Sequence, residues 1–117
     1  MTRSVNQPRS GGLLARLRAL FHRSDPEQAR RQWLITHGRI IEGMVIDLVQ
    51  NGNSVTEQEL EAGRPCLIIY RYTNSGVTYE SSQELSPAQM ARLPDYRVGT
   101  RVNVRYDPRH PTSSLVE

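Results

Sequence analysis

The sequence predicts a mainly β domain of the α+β kind. It should be a small antiparallel β barrel or sandwich of about five strands, preceded by two N-terminal helices and carrying one short inserted helix. Three observations lead there. Val102, Val104 and Tyr106 alternate with Arg101, Asn103 and Arg105, a period of two that fits a half-buried strand. Cys66 to Tyr72 reads as a second strand, with Cys66, Ile68, Tyr70 and Tyr72 on one face and Leu67, Ile69 and Arg71 on the other. Turn residues punctuate the chain at Asn51-Gly52, around Gly76 and at Asp107-Pro108.

Residues 1–12 are polar, with Pro8 and Gly11-Gly12, and read as a disordered leader. Residues 13–37 read as a helical arm. In its first half Leu13, Leu14, Leu17, Leu20 and Phe21 recur at helical spacing while Arg16, Arg18 and Arg23 fall mostly elsewhere, giving a short basic amphipathic helix. In its second half Asp25 suits an N-cap, Pro26 the first helical position and Gln28 the far side of a capping box. Ala29, Trp33 and Leu34 form an apolar stripe, and Gly38 is placed to end the helix in a left-handed conformation.

Residues 38–117 read as the β domain. Ile40 to Val49 predicts a long strand, bulged at Gly43, with apolar residues on both faces and hence a central or doubly covered position. Glu57 to Gly63 reads as an exposed loop or ill-defined edge. Cys66–Tyr72 and the strand of Val77, Tyr79 and Ser81 share a buried face only if the loop between them has an even length, Ser75-Gly76 or Thr73 to Gly76. Ser86-Pro87-Ala88-Gln89 repeats the capping box, with Leu85 and Met90 as a staple and the helix stopping before Pro94. The Gly99 strand ends at Asp107-Pro108, and Ser114 to Val116 adds a short edge strand.

Every one of the basic residues counted as Lys or Arg is arginine, and the formal net charge is +3. The charge is uneven: Arg3, Arg9, Arg16, Arg18, Arg23, Arg30 and Arg31 precede Leu34 against Asp25 and Glu27 alone. Attraction to phosphate or anionic lipid therefore belongs to the arm. Cys66 is the only cysteine and lies in an apolar strand, so it reads as a small buried hydrophobe. No run approaches the roughly twenty apolar residues of a membrane span.

Chemistry is hard to find. His22, His37 and His110 have no metal-ligand spacing, and Cys66 has no companion, so no metal or cofactor is expected. Glu57, Glu59, Glu61, Glu80 and Glu84 fit a solvated surface better than an acid–base pair. No phosphate loop, nucleophile elbow or nucleotide fingerprint is present. Five tyrosines near Arg71, Arg101 and Arg105 invite an OB-like nucleic-acid platform. However, the tyrosines share the side of Ile68, Val102 and Val104, which predicts core packing with hydroxyls at the rim.

Gly38 opening a strand, Tyr70 and Tyr72, the Gly76 turn, Tyr79, and the run Tyr96, Gly99, Val102, Val104, Tyr106-Asp107-Pro108, Pro111, Ser114 and Leu115 resemble the bacterial domain of unknown function 3592, over roughly residues 38–116. The resemblance implies a compact antiparallel β domain, often attached to membrane-spanning helices, with no established activity and no catalytic residues to carry over. This chain departs from it in offering an arginine-bearing amphipathic helix where a span would stand.

The function expected is non-catalytic: an interaction or scaffolding module. Leu13, Arg16, Leu17, Arg18, Leu20, Phe21 and Arg23 would contact a protein partner, another copy or its own domain, or an anionic membrane surface. No small-molecule substrate is expected. The setting would be the cytoplasm, with a peripheral place on the inner face of the membrane as the variant. The alternative reading is an OB-like binder of single-stranded nucleic acid.

Overall fold

A computed structural model describes residues 26–117. The leader, the Leu13–Phe21 helix, His22 and the Asp25 cap lie outside the described residues. Helix α1 spans Pro26–His37. Near its start Glu27 accepts hydrogen bonds from Arg30 and from Arg31, each 2.8 Å away at one carboxylate oxygen. These two guanidiniums lower the Glu27 pKa from 4.5 to about 2. Because the folded value is depressed, the stabilisation is complete above the unfolded pKa and is lost as pH falls from about 4.5 towards 2. A carboxyl-detected NMR titration should place the Glu27 midpoint near 2, and Arg30→Gln should move it upward.

In the apolar stripe Leu34 is buried, Trp33 half-buried and Ala29 exposed. Gly38 does not take the left-handed conformation expected of it, since it is absent from the positive-φ glycines. Its N–H donates to the Leu34 carbonyl at 2.8 Å and the chain runs straight into a strand. Glycine serves there for space: a Cβ would stand 2.5 Å from the Leu34 oxygen.

Leu34–Glu117 is one compact unit. It contains β1 Arg39–Gln50, β2 Asn53–Ser54, β3 Leu67–Asn74, β4 Val77–Glu84, the short helix α2 Pro87–Met90, β5 Arg101–Asp107 and β6 His110–Val116. The strands follow the order β4-β3-β1-β5-β6, all neighbours antiparallel, with β2 paired to β1 alone. β1, β3 and β4 run consecutively and β5 returns by a long connection to lie beside β1, a Greek key. The result is a nearly closed five-strand barrel.

The alternation read from the sequence holds in the secure strands. Cys66, Ile68, Tyr70 and Tyr72 are buried, as are Val102, Val104 and Tyr106. The β3–β4 loop is the two-residue Ser75-Gly76, with φ of 52° and 79°, and it pairs Tyr72 with Tyr79. On the outward side of β5 Arg101 and Asn103 are exposed. Arg105 is only half-buried there because its guanidinium bonds to Glu117.

β1 is central, between β3 and β5, but its bulge is not at Gly43. The register shifts between Val45 and Asp47. Before the shift Ile41, Gly43 and Val45 point inward; after it Leu48 and Gln50 do. That phase change is why the strand seemed apolar on both faces. Gly43 instead permits close approach, because a Cβ would meet the Arg71 oxygen at 2.7 Å and Val104 Cγ2 at 2.8 Å.

β4 and β6 flank the one gap in the barrel, and side chains close it. Gln83 Nε2 donates to the Val116 carbonyl at 3.1 Å, and the Val116 N–H donates to Gln83 Oε1 at 2.8 Å. One buried amide thus serves Val116 as a neighbouring strand's peptide group would. Gln89 Nε2 adds a second donor to the same carbonyl at 3.0 Å. The tyrosine hydroxyls do not stop at the rim. Tyr70 bonds Ser114 Oγ at 2.7 Å across the interior, and Tyr72 donates to the Pro111 carbonyl. β6 is accordingly longer than the Ser114–Val116 edge expected, and it accommodates Pro111 near its start.

Candidate functional site

The site begins at the β1 bulge. Beyond Met44 the ladder to β5 stops, and the polar groups of Val45 turn to a loop instead. Its N–H donates to Thr100 O at 2.9 Å and its carbonyl accepts from Gly99 N–H at 2.7 Å. Thr100 N–H closes a tight turn on the Arg97 carbonyl at 2.9 Å, and Gly99 has φ +89°, the third-position conformation of a type II turn. Val98 takes the exposed second position, with 57% of its surface in water.

The facing wall is the segment after β2. Val55 N–H donates to the Leu48 carbonyl at 2.9 Å. Asp47 fixes this wall from β1: its carboxylate accepts from Ser54 Oγ at 2.7 Å and from Leu48 N–H at 2.9 Å. Thr56 N–H donates to Glu59 Oε1 at 2.8 Å, holding the single helical turn Glu57–Glu59. Buried Gln50 ties the remainder down, donating to Glu61 O at 3.0 Å and accepting from Glu61 N–H at 2.8 Å. The stretch Glu57 to Gly63, expected as an exposed loop or ill-defined edge, is a mostly exposed loop that is anchored at several points.

Between the walls lies an open groove of about 500 Å³. Leu48, Val55 and Val98 supply its aliphatic surface, and Thr56, Glu57, Gln58 and Arg97 its edges. Glu57 and Arg97, from opposite walls, form an ion pair at 2.7 Å. Each thereby neutralises the other, leaving aliphatic contact as the groove's principal chemistry. Bulges commonly re-aim side chains at binding sites, and this one turns Leu48 inward and docks both walls on β1.

Of the candidates singled out in the sequence, Glu57 alone among the described residues edges the groove. Leu13, Arg16, Leu17, Arg18, Leu20, Phe21 and Arg23 are outside the described residues. Cys66 is buried, and that burial pushes its thiol pKa up, away from the thiolate. His37 and His110 are exposed. Among the described residues no three His, Cys, Asp or Glu side chains gather as a metal site requires, and no helix is long and apolar enough to cross a membrane. Tyr70, Tyr72, Tyr96 and Tyr106 are buried and Tyr79 half-buried, stacked on Tyr72 at 5.5 Å. Their faces are committed to the core. The outward side of β3 and β4 carries an Arg71–Glu80 ion pair at 2.9 Å and a Thr73–Thr78 hydroxyl contact.

The groove was not foreseen from the sequence. Its signals were small: a β-branched residue beside Gly99 in a turn, and Val55 alone in a polar stretch. Residues 36–117 match the family model described as domain of unknown function, DUF3592. No curated protein and no solved structure matches the chain.

Proposed function

The chain belongs to the DUF3592 family, and from that premise we propose that it is a non-catalytic interaction or scaffolding module. The observation that carries the reading is the groove. Its two ionised edges are spent on each other, and what it offers is an aliphatic surface held by a rigid frame. The basic arm supplies attachment. Leu13, Leu17, Leu20 and Phe21 give apolar area and Arg16, Arg18 and Arg23 give charge, a combination that suits a protein partner or an anionic membrane on the cytoplasmic side.

A second reading, an OB-like binder of single-stranded nucleic acid, is favoured by the Greek-key barrel and by exposed Arg101. The buried tyrosines count against it, because base stacking needs aromatic faces in water.

Co-sedimentation with anionic vesicles and retention of a labelled oligonucleotide, each across a salt series, separate these readings. Arm-mediated membrane attachment predicts vesicle binding that salt weakens and that removal of residues 1–24 abolishes. Arm-mediated protein attachment predicts no vesicle binding at any lipid composition. Vesicle binding that persists without residues 1–24 overturns the role of the arm. Salt-sensitive oligonucleotide retention, lost when Arg101 and Arg105 are replaced, establishes the second reading instead.

A further inference from the structure

We infer that the groove between Val55–Gln58 and the Arg97–Thr100 turn docks a segment of a protein partner that presents aliphatic side chains beside cationic ones. This rests on reading the chain as an interaction module, and it names a surface and a partner chemistry that the arm does not provide.

Val98 is the first argument. The turn is held by backbone bonds from Gly99 and Thr100, and its second position accepts most residues, so local structure does not call for an exposed valine. That side chain instead extends the aliphatic surface begun by Leu48 and Val55.

Charge is the second argument. From the β1 bulge to the end of the loop, residues 45–64, the chain carries Asp47, Glu57, Glu59 and Glu61, whereas the cations paired with them are Arg64 and Arg97. Four carboxylates against two guanidiniums leave the surround negative, which favours a cationic occupant and repels an acidic one. Arg97 is balanced by Glu57 at 2.7 Å and Arg64 by Glu61, so Asp47 and Glu59 carry the excess. The third argument is shape. The groove is open rather than enclosed, and it admits side chains of a passing chain without any movement of its anchored walls.

The test is titration of the full-length, isotope-labelled protein with a synthetic peptide of repeating Leu-Arg, followed by amide shifts and by fluorescence anisotropy. Saturable shifts of Val55, Glu57, Gln58 and Val98 are expected. Val98→Asp should weaken binding about tenfold or more while leaving the melting temperature unchanged, because the side chain is exposed. Gln58→Lys, also at an exposed position, should weaken it through charge. Equal binding of a Leu-Glu peptide, shifts confined to other residues, stronger shifts with decanoate than with the peptide, or indifference to both substitutions would each overturn the assignment. Groove shifts that persist when residues 1–24 are removed would sustain it even if the arm's role fails. Absence of groove shifts in the unsubstituted protein, while it still binds vesicles through the arm, would overturn the groove alone.

Discussion

Val104→Asp should unfold the domain. Val104 is fully buried on β5, its Cγ2 faces the bare backbone of Gly43 on β1, and no arginine or histidine is buried among the described residues to offer a counter-charge. An unpaired carboxylate there costs on the order of 5 kcal/mol, comparable with the whole stability of a small domain. Circular dichroism of the purified variant should show no cooperative melt. Val104→Ala, which removes methyl groups without adding charge, should lose only about 1–3 kcal/mol and retain a melt. A Val104→Asp protein melting with the wild type would refute the inward face of β5.

Gln83→Leu should have the next largest effect. The side chain is 8% exposed, and both ends of its amide are engaged by Val116. Leucine fills similar volume but strands the Val116 N–H, whose acceptor among the described residues is Gln83 Oε1. An orphaned buried group costs about 1–3 kcal/mol, and with the lost bonds the total should reach about 2–4 kcal/mol. For a domain of this size that corresponds to a fall in Tm of more than about 10 °C. Gln89 still serves the Val116 carbonyl, so Gln83→Leu should be milder than Val104→Asp. Urea denaturation of both variants gives the comparison.

Much of the barrel was legible because strands with one wet face announce themselves. Arg101 to Tyr106 alternates apolar and polar residues, Cys66 to Tyr72 is a short apolar and aromatic run of strand length, and the hairpin register follows from the need to put Tyr79 beside Tyr72. The family resemblance rested on the same strands. β1 was legible as central but not in detail. A bulge changes the phase of inward residues, so Val45 and Leu48 look like opposite faces until the register shift is seen. β6 was underestimated because His110, Pro111, Thr112 and Ser113 have little strand character; its pairing to β5 and the hydroxyls of Tyr70 and Tyr72 organise it.

The buried glutamines were illegible for a different reason. Nothing in the sequence singles out Gln50 or Gln83, and Gln89 is legible only as part of a capping box, since burying an amide is costly unless every bond is remade. Here each is remade locally: Gln50 pins the groove wall, Gln83 bridges the gap, and the Gln89 amide accepts from the Ser86 N–H in the capping box of α2 and donates to the Val116 carbonyl. No pattern in a single sequence distinguishes such an amide from a solvated one. The groove was hidden by the same physics, because its walls are joined through backbone bonds to β1 rather than through an apolar motif.

These contacts commit the described polar groups and rings of the interior to holding the barrel together. The keystone is Gln83 standing in for a missing strand. Amide hydrogen exchange of Val116 tests this most directly. If the side-chain bridge closes the barrel, the Val116 amide should exchange as slowly as the ladder amides of β1 and β3, and Gln83→Leu should accelerate it far more than it accelerates Tyr70. A Val116 amide that exchanges at the rate of an exposed edge strand, unchanged by the substitution, would contradict the account.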